Sequence, residues 1–367
     1  MAIRVRFFPA VPYWQRAPYM YHLSRYLPEF GVEPLIPTQD SDNWLTVRWV
    51  LSNPDRIDIL HFHWTAHYYD RAQLYYAVKA LLTHQSGILL AKLKGFKIVW
   101  TMHNYMPHDA NRRWLNYVER FLMARVADTI IVHCAHGQRL IASRLFRKSG
   151  VLVIPHGDFA EFLPREKKSE ARIRLGLPDH VIVLLFFGRI RAYKGLTDLL
   201  HSFREIDGDQ LRLVVIGTLA DRFEDSSWAH EVRSLVSQDF RVVAAMDDSY
   251  ISDESLALYL SAADVAIFPF RRILTSGSVI TALSFGLPVV APRLGCLPEV
   301  LNDDCGVLYE PGAGSLTNAL RTCLRGDLPQ MGRAARSRAE QLSWQDMVRR
   351  TAHVYEHTLY GTELDAC

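Results

Sequence analysis

Residues 263–292 (ADVAIFPFRRILTSGSVITALSFGLPVVAP) constrain this chain more than any other stretch. They read as a strand over 265–268, a polar turn, a helix over 278–285 and a second strand over 288–291. That order sets the backbone N–H groups of Ser276, Gly277 and Ser278 at a helix start, facing the carboxyl end of a parallel strand. Unpaired donors and the positive end of the helix dipole make such a place a seat for a phosphate. A tight βαβ connection with no ligand shows the same Ser-Gly-Ser turn, so the rest of the chain has to decide between them.

A chain of 367 residues exceeds what one hydrophobic core supports, which predicts two domains. The longest apolar run, residues 181–187, is too short to span a bilayer. The first eight residues (MAIRVRFF) alternate like a strand and lack the apolar core of a signal peptide, so a cytoplasmic protein is expected. The five cysteines form no C-x-x-C pair, which argues against a zinc site. Charge is spread unevenly. Residues 1–160 hold 19 Lys/Arg against 11 Asp/Glu, a balance of +8, so that with +3 for the whole chain the remainder carries −5. A basic first half suits anionic headgroups, a pyrophosphate-linked acceptor or nucleic acid. Its aromatics and cations match no nucleic-acid-reading module, and no nucleic-acid partner is expected.

Strand-like and helix-like segments alternate throughout, the signature of an α/β fold with parallel sheets. In the first half, strands are predicted over residues 3–8, 57–62, 96–102 and 129–133. Helices are predicted over 18–27, 70–93 (with a break near Gly87) and 112–126. A linker is expected over 157–168. Beyond it come strands over 181–187, 211–216, 241–244, 265–268 and 289–291, and a final helix over 344–360. Ligands of open α/β sheets collect at the carboxyl ends of the strands.

The passage 263–292, followed by LPEVL (297–301) and CGVLYEPG (305–312) and preceded by IPHG (154–157) and FGRIRAYKG (187–195), resembles the C-terminal domain of GT-B glycosyltransferases, especially the GT4-like group. The likeness covers roughly residues 150–355 in the family order. It implies two Rossmann-like domains facing across a cleft: an acceptor domain over 1–157, a donor domain over 158–345, and a last helix over 346–367 crossing back to the first domain. It also implies a nucleotide-sugar substrate, no cofactor and no metal. Arg189 and Lys194 follow a strand and suit a departing diphosphate; in the family pattern they clamp it. Gly217 ends the next strand and permits close backbone approach. Residues 246–251, with Asp247 and Asp248, resemble the border of the nucleotide base.

The family's retaining members carry two glutamates where this chain has Ile273 and Thr281. The ribose contact then falls to Thr281 or Ser278, and an inverting reaction becomes the expectation. Inverting β-mannosyltransferases of lipid-linked oligosaccharides lack these glutamates, and their N-terminal motif resembles RAPYMYH (16–22). In the first half, histidines gather at strand ends, in HFHW (61–64) and TMHN (101–104), with Pro107, His108 and Asp109 close behind. Histidine is the side chain most easily tuned for proton transfer near neutral pH. His103 and Asp109 are the candidates for deprotonating the acceptor hydroxyl, and His63, Trp64 and Asn104 for binding the acceptor. LLAKLKGFK (89–97) interleaves leucines with lysines, which fits either an anionic membrane surface or an ordinary amphipathic helix.

Together these readings predict transfer from a GDP- or UDP-sugar, GDP-mannose among them, to a glycan or lipid-linked saccharide at the inner face of a membrane. The alternatives are a retaining transferase and a catalytically silent sugar-nucleotide-binding scaffold.

Overall fold

The computed structural model describes residues 2–8, 18–35, 45–52, 56–65, 73–107, 112–159, 161–219, 226–247 and 251–362. The expectations for Arg16, His108, Asp109 and Asp248 lie outside them. The chain divides into two compact units: Met1–Gly157 with Trp344–Cys367, and Asp158–Ser343.

The first unit runs β1 (Ile3–Phe8), α1 (Pro18–Tyr26), β2 (Val32–Leu35), α2 (Val47–Ser52), β3 (Ile59–Phe62), α3 (Leu74–Leu93), β4 (Lys97–Thr101), α4 (Arg113–Val126), β5 (Thr129–Val132), α5 (Ala135–Arg144) and β6 (Val151–Val153). Its six strands form one parallel sheet in the order β2-β1-β3-β4-β5-β6. The central strands β3 and β5 are buried at every position, as a sheet covered on both faces requires. The sequence pattern does not show β2 and β6, for a local reason. Both are short edge strands, and β2 contains Pro34, which an edge tolerates because no ladder N–H is needed on the open side. Helix α3 is unbroken at Gly87. A side chain there would come within 2.6 Å of the Leu45 carbonyl oxygen, so the glycine serves a close backbone approach and no kink.

The second unit runs α6 (Lys168–Leu175), β7 (Ile182–Phe187), α7 (Leu196–Arg204), β8 (Leu211–Thr218), α8 (Ser226–Ser237), β9 (Val242–Asp247), α9 (Asp253–Ala262), β10 (Val265–Ile267), α10 (Gly277–Ser284), β11 (Val289–Pro292), α11 (Leu297–Val300), β12 (Gly306–Tyr309), α12 (Ser315–Arg325) and α13 (Leu328–Glu340). The parallel sheet reads β12-β11-β10-β7-β8-β9, so strand order reverses between β7 and β10. Apolar clusters line both faces. Val183, Leu185, Phe187 and Phe268 point to one side, Leu184, Phe186, Leu199 and Phe203 to the other. The stretch after Gly157, where a linker was expected, is anchored to the second unit. The Phe159 N–H donates to Ser284 Oγ at 3.0 Å, Arg165 donates to the Ser284 carbonyl, and Leu163 packs on the core.

The last helix, α14 (Trp344–Tyr360), belongs to the first unit, which it joins two residues earlier than the expected bound at 346. Trp344 is the reason: its ring is buried against Tyr19, His22 and His156. Tyr355 is fully buried, and Thr358 shares a 2.8 Å hydrogen bond with Thr129. No described helix is long and apolar enough to cross a membrane.

Candidate functional site

In the second unit the strand order reverses beside β7, where an open parallel sheet parts its connections and leaves a crevice. Gly188 follows β7 with φ +107°, a conformation that side chains disfavour, and a Cβ there would stand 2.7 Å from Lys194 Nζ and 3.6 Å from Ser278 Oγ. Lys194 ends a short 3₁₀ turn, Ala192–Lys194, and is buried. Burial, and then the nearby Arg189 and Arg191, lower its pKa to about 8. A buried cation held among other cations suits a group of high negative charge. Arg189 itself is exposed. Gly217, near the end of β8, backs this loop: a Cβ there would come within 2.0 Å of the Gly188 carbonyl oxygen.

Helix α10 opens with Ser276, whose side chain accepts from the Val279 N–H at 3.3 Å and caps the helix. Gly277 and Ser278 form its first turn, half-buried. Thr281 Oγ1 donates to the Gly277 carbonyl at 2.9 Å, so its hydrogen is already committed within the helix. The structure thus gathers Gly188, Lys194 and Ser278 around one point, with Gly217 behind them. Of Arg271 and Arg272, which follow β10, the first is paired with Asp198 at 2.7 Å.

In the first unit the strand order reverses between β1 and β3, and His63 and Trp64 follow the end of β3. His63 and His103 are buried and bonded, Nδ1 to Nε2 at 3.1 Å. The rings of Trp64 and His103 stack 4.5 Å apart at 17°. Asn104 is half-buried beside them. Sequence reasoning missed much of this cluster. His133 Nε2 lies 3.2 Å from His103 Nδ1, and His133 Nδ1 lies 2.9 Å from the Ile154 carbonyl oxygen. His156, Tyr19, Trp344 and Tyr355 complete it, with the Tyr19 ring against those of His63, His103, His133 and His156. A signal was present: β3, β4, β5 and β6 are each followed within three residues by a histidine, His63, His103, His133 and His156.

Burial is the first cause of the cluster's electrostatics. It holds His133 down to about 4 and His156 to about 3, and His61, His63 and His103 well below the ordinary value, with the neighbouring histidines adding to the effect in all but His133. For His133 the Ile154 carbonyl works the other way. The rings are therefore neutral at pH 7, each with one donor and one acceptor nitrogen. Among the described residues no group of three or more His, Cys, Asp or Glu is arranged to hold a metal ion.

Residues 181–326 match the family described as glycosyl transferases group 1. The chain is 29% identical over 310 residues to a GDP-mannose:glycolipid 4-β-D-mannosyltransferase of Xanthomonas campestris pv. campestris, covering 80% of this chain and 77% of that one. It is 27% identical to an MMP α-(1→4)-mannosyltransferase of Mycolicibacterium hassiacum, covering 75% and 68%. Among solved structures, the sucrose-phosphate synthase of Thermosynechococcus elongatus superposes with a TM-score of 0.78 at 18% identity, covering 98% of this chain and 100% of that one. Anabaena HepE in complex with UDP-glucose superposes at 0.74 and 16%, covering 97% and 100%. The sheets, the motif order and these likenesses agree: the chain is a hexosyltransferase of GT-B fold, and its residues 181–326 match the glycosyl transferases group 1 family.

Proposed function

We propose that the protein transfers a hexose, with mannose from GDP-mannose as the first choice and a UDP-sugar as the second, to a glycan or lipid-linked saccharide, with inversion at the anomeric carbon. The observation that carries the donor half is Lys194, buried beside Gly188 and Ser278 at the end of β7. In this reading the glycosyl C–O bond breaks and its electron pair leaves on the diphosphate. Lys194, Arg189 and the first turn of α10 meet the growing negative charge. The cation set stands in for a metal, and none is expected. The acceptor hydroxyl loses its proton to the histidine cluster of the first unit as it attacks.

The choice of mannose and of a glycolipid acceptor is supported by the name of the Xanthomonas relative, which describes a β linkage. Inversion is supported by Ile273 and Thr281 standing where retaining relatives carry glutamates. A peripheral membrane setting is supported by α3. Tyr75, Leu82, Leu89 and Leu93 are exposed along it, spaced by seven, seven and four residues, with Lys79 and Lys94 also exposed. Lys92, by contrast, is paired with Asp128 at 2.5 Å and belongs to the fold.

The test is a thermal-shift screen against GDP, UDP, ADP, dTDP and their sugar conjugates, followed by NMR of the product's anomeric proton. A ligand at a hundredfold excess over its dissociation constant stabilises by about 2.7 kcal/mol. The expected result is a shift with GDP-mannose that Arg189→Ala removes, and a β product. An α product would make the enzyme retaining. Binding without transfer to any glycolipid would make it a silent scaffold.

A further inference from the structure

The histidines of the first unit form a hydrogen-bonded chain with a direction. His133 Nδ1 lies 2.9 Å from the Ile154 carbonyl oxygen, and a carbonyl only accepts, so this nitrogen carries the hydrogen. In a neutral ring the other nitrogen is then bare. His133 Nε2 therefore accepts from His103 Nδ1 at 3.2 Å. By the same rule His103 Nε2 is bare and accepts from His63 Nδ1 at 3.1 Å. The chain ends at His63 Nε2, which must be a lone pair. That atom is buried in a residue only 2% exposed and has no hydrogen-bond partner among the described residues.

The neighbouring rings do not offer an equivalent atom. His61 lies 4.1 Å from His63 by ring centroids, but its Nδ1 is bonded to Tyr355 Oη at 2.7 Å and its Nε2 to Thr101 Oγ1 at 2.8 Å. Both nitrogens of His103 are engaged within the chain. A buried acceptor without a donor is costly to leave so, and a hydroxyl group satisfies it.

We propose that His63 Nε2 takes the proton from the acceptor hydroxyl, with His103 and His133 as positioning residues that fix its tautomer from the Ile154 carbonyl. The proposal rests on the transferase reading given above. In the step, the acceptor O–H bond breaks and its proton binds the His63 Nε2 lone pair. The oxygen's electron pair forms the new bond to the anomeric carbon, and the pair of the old C–O bond leaves on the diphosphate. The added positive charge need not stay on His63. Its Nδ1 proton can pass to His103 Nε2, and the His103 Nδ1 proton to His133 Nε2. The imidazolium then rests on His133, against the Ile154 carbonyl, with every hydrogen bond in place and reversed in direction only along the chain. The base role thereby moves from His103 to His63, one ring along.

The experiment has two arms, both on the full chain. Long-range ¹H–¹⁵N NMR of histidine-labelled protein at pH 7.5 should show His63, His103 and His133 all as the Nδ1–H tautomer, with His133→Asn disturbing the His63 signal. His63→Asn keeps a side-chain donor where Nδ1 stood and removes Nε2. It should lower kcat at least about a hundredfold, the span general-base catalysis provides, with donor KM and Tm near wild type. His63 found as the Nε2–H tautomer overturns the inference even where the variant fails to fold. So does a His63→Asn enzyme with near wild-type kcat. A wild-type protein that transfers no sugar overturns the transferase reading itself, and the tautomer spectrum still decides the direction of the chain.

Discussion

Lys194 holds its charge in a place that discourages charge, and this has a measurable consequence. Because burial and two arginines lower its pKa to about 8, the free protein loses this proton as the pH rises through 8. A bound diphosphate favours the protonated form, so donor binding above that pH must take a proton up. The affinity for the proposed donor, GDP-mannose, is expected to fall by about tenfold per pH unit above 8. Titration calorimetry between pH 6.5 and 9 checks it, and Lys194→Met should remove both the pH dependence and most of the affinity. The buried histidines behave in the opposite range. Their folded-state values lie below 6.5, with His133 near 4. Stability from them is therefore complete above pH 6.5 and is lost as the pH falls toward 4, where the unfolded chain takes up protons that the folded one refuses. Each contributes up to about 1.4 kcal/mol per pH unit. Hydrogen exchange at pH 7 and pH 5 should show amides of β3–β6 losing protection ahead of those in β7–β9.

At the scale of elements, the proposed donor site depends on how closely β7 and β8 approach at their carboxyl ends. Gly217 allows that approach, since a methyl group there would overlap the Gly188 carbonyl oxygen at 2.0 Å. Gly217→Ala must displace the Gly188 loop and with it Lys194. A loss of about 2 kcal/mol or more in stability is expected, with weaker nucleotide binding, both read from thermal midpoints with and without GDP. Ser276→Ala should cost about 1 kcal/mol through the lost cap on α10, with urea midpoints as the measure. The glycines and the helix start were legible in the sequence because turn chemistry is local. The edge strands β2 and β6 were not, because four and three residues carry too little alternation to register.

At the scale of the whole molecule, the first unit is discontinuous in sequence and needs α14 to close. Trp344 fills a place beside Gly157, where an added Cβ would meet its ring at 2.6 Å, and Tyr355 bonds His61. Trp344→Ala should therefore destabilise the first unit by about 3–5 kcal/mol while the second keeps its hydrogen-exchange protection. By itself the sequence determined the α/β class, nearly every central strand, and the loop that carries Arg189 and Lys194 together with the Ser276–Ser278 helix start. Those features follow from apolar periodicity and from turn residues read over a few neighbours. Only the tertiary structure decided that Lys194 is buried against Gly188 and that His63, His103 and His133 stand in one hydrogen-bonded line ending on Ile154. Parallel strands bring together residues some 30 to 40 positions apart, and the bonds between them depend on sheet order and register, which no local pattern specifies.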